Sequence, residues 1–381
     1  MKVLLYTIEM VKGVERLMPW RTLVEVAKYA PEDMEIAICS AQAPEDVPED
    51  VREYEGVKIY SINYGTKALR QFIADGGWDA VYYPITYRQG LKSMSELASV
   101  KARKIAYIPG GMCPLSGSLK LVQMGETKRA LPYLLDTIIP HSLIAKKLQK
   151  VGFKGIVCQA PLTAENAQHS GWKQVVCALP GNSPANCDSF DRSYYERFGL
   201  QGQKFLLFSG APAPTRGAIL AMKAFDKIAG QLTDIKMVML MRRDVSSDFK
   251  AFNKAASEIK HKNRFVISYD NLTHDQLFYF FRSAWAVMLP FLIIPSEIPL
   301  TYLEVMELGT PIISFENGGT TDYLNSGLKI AKRRTVASLA KAIVEICSNE
   351  AERNHLSTNA KEIMSNHPTW NSTSKKWLNV L

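Results

Sequence analysis

The residues best suited to chemistry lie between Ser296 and Ile313. Ser296 and Glu297 lead through Ile298 and Pro299 into a helix-forming run that starts at Leu300 and Thr301. Glu304 follows one turn in, Gly309 ends the run, and Pro311 opens an apolar strand. The first N–H groups of such a helix lack intrahelical partners, so the backbone at Leu300 and Thr301 can face an anion. Glu304 is placed to accept hydrogen bonds from hydroxyl groups beside that anion. Phosphate plus sugar hydroxyls describes a nucleotide sugar.

A second ligand-bearing loop runs from Phe208 to Gly217 and contains Gly210, Ala211, Pro212, Pro214 and Arg216. It joins a strand to a helix, where doubly wound sheets bind ligands. Arg216 can neutralise phosphate and bond it bidentately; an ordinary loop cation is the simpler alternative.

The elements that must hold these loops alternate between strand and helix, which predicts an α/β architecture with parallel sheets. Strands are expected at 3–6, 35–39, 79–83, 104–108 and 155–158, with a helix at 17–29 and an acidic loop at 43–51. Turn residues at 179–184 read as a linker. Beyond it a helix at 191–198 precedes strands at 204–209, 236–241, 265–268, 286–290 and 311–315, with helices at 218–229, 246–259 and 274–282. In helix 218–229 the residues Ala218, Ala221, Met222, Phe225 and Ile228 share one apolar face.

The 296–313 segment resembles the donor-site signature of retaining GT-B glycosyltransferases, in particular glycosyltransferase family 4. There a glutamate, seven residues, a second glutamate and a Met, Gly and Pro run lead into a strand. Glu304, Met306, Gly309 and Pro311 match the second half; eight before Glu304 stands Ser296, with Glu297 one residue later. The loop 208–217 is similar to the family's Gly-Arg…Lys-Gly segment, with Ala211 at the first cation position, Arg216 at the second, and Arg242 or Arg243 as candidates to restore the charge missing at Ala211. The stretch 266–290 resembles the strand, loop and helix under the nucleotide base. It sets Tyr269, Asp270 and Asn271 at the base edge, while Phe278, Tyr279 and Phe281 read as packing. Gly318 and Gly319 resemble a glycine turn lining the cleft, and Gly13, Val14, Glu15 and Arg16 resemble the first loop. Where the family often has a histidine, the chain reads Tyr107, Ile108, Pro109, Gly110 and Gly111; His141 lies farther on and reads as structural.

The resemblance implies an α/β fold of two Rossmann-like domains facing a central cleft. Residues 1–184 would bind the acceptor, 185–365 the nucleotide sugar, and 366–381 would pack back on the first domain. It implies transfer of a sugar from a nucleotide-diphosphate donor to a hydroxyl acceptor with retention of configuration. Arg216, Glu297 and Glu304 would be catalytic. Gly210, Arg242, Asn271, Ser296, Leu300, Thr301 and Gly318 would bind the donor, and Gly13, Glu15 and Gly110 would form the acceptor-side loop. No metal or cofactor is required by this scheme. Two alternatives stay open: a degenerate relative that binds without turnover, motivated by Ala211, Ser296 and Gly110, and a nucleotide-sugar epimerase on the same fold.

Composition bounds these readings. The chain has 381 residues, 47% hydrophobic and 22% charged, enough for two domains with their own cores. Residues 81–180 hold 13 Lys/Arg against 4 Asp/Glu, whereas 1–80 hold 9 against 14. The basic block suggests an anionic partner, either a membrane surface touched peripherally, a lipid-linked or otherwise phosphorylated acceptor, or nucleic acid, of which nucleic acid is not expected; a solvated face is the commoner alternative, and a plain glycan acceptor stays open. The stretch 141–154, with lysines interleaved among Leu143, Ile144, Leu148 and Val151, is either a membrane-surface helix or the outer helix of a sheet domain. The six cysteines show no metal-ligand spacing and suit free thiols in a reducing cytoplasm. No apolar run is long enough to span a bilayer. Asp-x-Asp, Walker A, GxGxxG, HExxH and GxSxG patterns are absent, which leaves kinase, dehydrogenase, zinc hydrolase and serine esterase readings without residues.

Overall fold

The computed structural model describes residues 1–43, 51–85, 95–110, 115–182, 190–243, 247–294 and 296–381. Most of the expected acidic loop, Gly111, Cys113, Cys187, the 184/185 boundary and the expected helix start at 246 lie outside them.

The first sheet contains β1 (Lys2–Ile8), β2 (Glu35–Gln42), β3 (Val51–Tyr54), β4 (Val57–Asn63), β5 (Ala80–Pro84), β6 (Arg103–Tyr107), β7 (Phe153–Cys158) and β8 (Val175–Cys177). Their spatial order is β3-β4-β2-β1-β5-β6-β7-β8. Every pair is parallel except β3–β4, a hairpin. Helices α1 (Trp20–Lys28), α2 (Thr66–Gly76), α3 (Leu115–Gln123), α4 (Thr127–Ile138), α5 (His141–Lys150) and α6 (Pro161–His169) accompany it. Successive residues of β1 feed opposite cores, as the two-residue period of a strand dictates. Val3 and Leu5 pack with Leu23 and Val26 of α1, and Leu4 and Tyr6 share a core with Ile144 and Leu148 of α5.

The second sheet holds β9 (Lys204–Gly210), β10 (Ile235–Met241), β11 (Phe265–Ser268), β12 (Ala286–Leu289), β13 (Ile312–Phe315) and β14 (Leu328–Ala331), ordered β11-β10-β9-β12-β13-β14 and wholly parallel. Around it lie α7 (Ser193–Glu196), α8 (Ala218–Ile228), α9 (Phe249–Ser257), α10 (His274–Ser283), α11 (Leu300–Glu307), α12 (Gly318–Leu324), α13 (Val336–Ser348) and α14 (Glu350–Ser365). Leu206 and Phe208 face α8 and α13, whereas Phe205 and Leu207 face α10 and α11.

The last helix, α15 (Trp370–Leu378), returns to the first sheet. Trp377 is fully buried there against Tyr82 and Tyr107. The Tyr82 hydroxyl donates to Trp377 O at 2.6 Å, and the Ser374 hydroxyl donates to Val26 O at 2.8 Å.

Helix α5 stops at Lys150, before the expected 154, because Phe153 opens β7. Ile144, Ala145 and Leu148 are buried in the first core and Val151 is half-buried, so this face is the inward side of an outer helix; Leu143 alone of the expected apolar residues is exposed. Among the described residues no helix is long and apolar enough to cross a membrane.

Candidate active site

In each sheet the strand order reverses beside one strand pair, between β1 and β5 and between β9 and β12. The crevice beyond the carboxyl ends at such a reversal is where open α/β sheets bind ligands. β9 ends at Gly210 and the loop after it carries Arg216; the loop after β12 carries Ser296 and Glu297 and leads into α11.

These two loops are joined tightly. The N–H of Leu292 donates to Thr215 O at 2.8 Å and that of Ile293 to the same oxygen at 3.3 Å. Gly217 has φ +72°, and a Cβ there would stand 2.2 Å from Pro290 O. Only glycine permits both the left-handed backbone and this approach. Arg216 is thereby laid across the second loop, its guanidinium 4.8 Å from the Phe291 ring centroid, and its charge acts on the buried Tyr302 hydroxyl. Tyr302 in turn ties α11 to the sheet, donating to Leu289 O at 3.0 Å with Ser314 Oγ at 2.7 Å.

Among the described residues no side chain caps the amino end of α11, where Pro299 is the N-cap. Leu300 and Thr301 are half-buried at that end, and Ser296 is buried just before it. Glu304 is 25% exposed, with its Oε1 4.0 Å from His274 Nε2. Removal from water pushes the Glu304 carboxyl up to about 7, and the Arg242 charge opposes that rise. Arg242 is half-buried and fixed through its N–H to Gly210 O at 3.0 Å. Arg243 is exposed over the Phe249 ring at 5.3 Å. Asn271 is exposed in the loop before α10, whose capping box of Thr273 and Gln276 fixes the helix start. Phe278 and Phe281 are core and Tyr279 packs against it, in line with the packing role read for them.

Glu297 departs most from expectation. It is 2% exposed and turned away from α11 toward the first domain. Its Oε2 accepts from the Gln159 N–H at the amino end of α6, and the Ala160 N–H and Thr163 hydroxyl also reach it. Its Oε1 is buried with no hydrogen-bond partner. Burial outweighs those donors and raises the carboxyl to about 8. The carboxylate expected at the donor sugar thus joins the two domains.

Glu15 is likewise engaged internally. Its Oε1 accepts from Arg52 at 2.9 Å and its Oε2 from the Gly13 N–H at 2.6 Å, so it is 3% exposed and fastens the first loop, where Gly13 has φ +97°. Gly110 is half-buried at the end of the β6 connection. Gly318 starts α12, and Gly319 lies so close to α6 that a Cβ would be 2.8 Å from Ala160 Cβ.

Three groups were missed in the sequence. His274 stacks on Phe278 at 4.0 Å between centroids, and the charges of Arg16 and Arg21 reach it from the first domain. Asn317 is buried, with its amide bonded to Phe291 O and Phe315 O and its Oδ1 unpartnered. Arg334 donates to Ser116 Oγ at 2.7 Å and to Glu316 O, linking α3 to the second domain. The position of His274, first in a helix after the base-edge loop, was the one available signal. A surface pocket lined by Tyr195, Lys204, Trp285 and Arg353 lies at the opposite strand ends and is separate from this crevice.

Residues 194–363 match the family model for glycosyl transferases group 1. No curated protein sequence gives a significant match. The whole chain superposes on sucrose-phosphate synthase from Thermosynechococcus elongatus with a TM-score of 0.73 at 14% identity, covering 100% of this chain and 98% of that one. A UDP-forming α,α-trehalose-phosphate synthase from Burkholderia xenovorans, in complex with glucose-6-phosphate, gives 0.69 at 12% identity over 99% and 98%. A protein from Anabaena in complex with UDP and glucose gives 0.68 at 11% identity over 100% and 98%. At such identities the likeness is one of fold, two Rossmann-like domains in the GT-B arrangement. The match to the group 1 glycosyltransferase model thus falls on the domain built on the second sheet.

Proposed function

We propose that the chain transfers a sugar from a nucleotide-diphosphate donor, held at the carboxyl ends of β9 and β12, to a hydroxyl acceptor on the first domain. One observation carries this reading: the Gly217 contact and the Thr215 bonds set Arg216 beside the loop that feeds the uncapped end of α11. Departure of a diphosphate leaves negative charge, and a fixed cation plus oriented N–H groups stabilise it without reorganisation. Leu300 and Thr301 supply the N–H groups. Glu304, when ionised, accepts from the nucleotide ribose, and Asn271 lies at the base edge. Ala211 supplies no cation at the first position and is fully buried; the Arg242 charge acts on Glu304, and the Arg16 charge reaches His274 from the other domain. Gly13 and Gly110 border the acceptor side. With Glu297 bound to α6, the donor-sugar contact falls to Ser296 and to the backbone at Gly318. Acceptor attack on the leaving-group face would retain configuration.

In this scheme residues 1–184 hold the acceptor, 185–365 hold the donor, and 366–381 brace the first domain. The neighbour solved with UDP and glucose supports a nucleotide diphosphate as the donor-site ligand, and the one solved with glucose-6-phosphate supports an anionic or glycan acceptor. The basic block at 81–180 extends this to a lipid-linked acceptor at a cytoplasmic membrane face. The buried Ala211 and the engagement of Glu297 favour a second reading, a binding protein without turnover.

The test is thermal stabilisation by UDP, GDP, ADP and TDP and their sugar conjugates. Ligand at about 100 times its Kd adds about 2.7 kcal/mol. One nucleotide should raise the melting temperature of the parent chain and lose its effect in Arg216→Ala. No shift with any of them would overturn the donor site. Binding without donor hydrolysis or transfer would select the second reading.

A further inference from the structure

Helices α3 and α4 form a hairpin that leaves the first sheet after β6 and carries apolar residues on two opposite sides. They are joined by Gly125 at φ +83°, whose N–H donates to Val122 O at 3.0 Å. The inner side packs on the second domain. Leu121 and Ala130 belong to its core, and a Cβ on Gly117 would lie 2.1 Å from Leu292 O in the β12 loop. The outer side is a second stripe. Leu115, Leu119 and Val122 recur at i, i+4 and i+7 on α3, and Leu131, Leu135 and Ile138 repeat that spacing on α4. All six are exposed, Leu131 by 52% and Ile138 by 68%. A helix needs one apolar face to pack on a protein; among the described residues the outer stripe belongs to none of the cores.

We propose that this hairpin docks on an anionic lipid bilayer, with the outer stripe among the acyl chains and the surrounding lysines on the headgroups. Charge complementarity selects this occupant. Residues 115–154 carry seven Lys/Arg and two Asp/Glu. Lys128 is exposed at the start of α4, and Lys146 and Lys150 are exposed on α5, which follows through Pro140. Apolar insertion flanked by cations is the pattern of interfacial helices. The nine residues of α3 and twelve of α4 are too short to span a bilayer and suit an in-plane orientation. The inner side touches the β12 loop, so docking would bring the mouth of the crevice to the bilayer surface. This deepens the acceptor half of the proposed function, because a lipid-borne hydroxyl would be presented beside the donor loops.

The experiment is co-sedimentation of the full chain with vesicles of phosphatidylcholine alone and of phosphatidylcholine with phosphatidylglycerol at three to one. No donor or acceptor is present, so failure here is distinct from failure of transfer. Binding is expected on the anionic vesicles and should weaken with salt. It should fall by about tenfold or more in Leu131→Glu/Leu135→Glu/Ile138→Glu, whose melting temperature should stay near that of the parent. Lys128→Glu/Lys146→Glu should reduce binding to anionic vesicles without changing any weak binding to neutral ones. Hydrogen exchange of the parent chain keeps the test independent of variant folding: residues 115–138 should gain protection on anionic vesicles. Absence of vesicle binding, or protection elsewhere only, would overturn the proposal. So would a dimer in solution that the same glutamate substitutions dissociate, since a second copy would then cover the stripe.

Discussion

Replacing Glu297 by glutamine tests the junction between the domains. In the folded chain the Glu297 carboxyl is raised from 4.5 to about 8 by burial, against the pull of Gln159, Ala160 and Thr163 at the amino end of α6. A rise of that size is worth about 5 kcal/mol. Its sign follows from linkage. Below pH 4.5 the residue is protonated folded and unfolded, and contributes no pH dependence. Above 4.5 the unfolded chain releases the proton while the folded chain keeps it, so stability falls as pH rises and levels off near 8. About 3 kcal/mol of that loss is complete by pH 7. Glutamine keeps the acceptor for the Gln159 N–H and removes the titration. Melting curves of parent and Glu297→Gln between pH 4.5 and 8.5 should therefore diverge. The parent should lose about 6 °C more than the variant across that range. Parallel curves would refute burial as the dominant influence. A parent that gains stability with pH relative to the variant would mean that the helix dipole and its N–H groups hold the anion, and the raised value would be wrong in sign.

Two further substitutions probe the crevice itself. Gly217→Ala places a methyl group against Pro290 O and forces alanine into the left-handed region, so a loss of about 3 kcal/mol is expected in denaturant unfolding together with loss of nucleotide binding; unaltered stability would show that the two donor loops are not locked together there. Because the Glu304 carboxyl titrates near about 7, nucleotide affinity measured by calorimetry should improve as pH rises through that value, and the inflection should be absent in Glu304→Gln; a flat profile in the parent would separate Glu304 from the ribose.

The sequence carries the second domain as far as β13, because its strands there are short apolar runs between glycine and proline stops; β14 and helices α12, α13 and α14 lie beyond that reading. The strand at 265–268 was read with the observed bounds, and those at 204–209, 236–241, 286–290 and 311–315 were read within one residue of them. The β3–β4 hairpin was missed. Its turn is Glu55-Gly56, with φ +49° and +82°, a two-residue signal that a glutamate at the first position disguises. That omission hid the partner of Glu15, because Arg52 lies on β3. The α3–α4 hairpin was also missed, since apolar residues on two sides give no single helical face. Arg216, Glu304 and the start of α11 could be placed from local pattern alone. The direction of Glu297 could not, since it depends on α6, 138 positions away in the chain.

The one-residue offset from Ser296 to Glu297 has a physical consequence for how the crevice opens. The carboxyl group is bound at α6, Gly319 packs on Ala160, and Arg334 reaches Ser116. All three contacts cross between the domains on the crevice side. The two chain crossings lie together elsewhere: the Asn182 N–H donates to Pro368 O at 3.1 Å, His367 Nε2 is 2.7 Å from Pro180 O, and the Thr373 hydroxyl donates to Leu179 O at 2.8 Å. A rotation that admits a donor can leave this paired joint intact, but it must separate Glu297 from α6 and return the carboxyl to water. Hydration lowers the proton affinity of the released group, so opening becomes easier as pH rises toward 8. The acid that the family resemblance assigns to the donor sugar is therefore held at the contact between the domains, so a rotation of this kind would have to free it before it could reach a ligand.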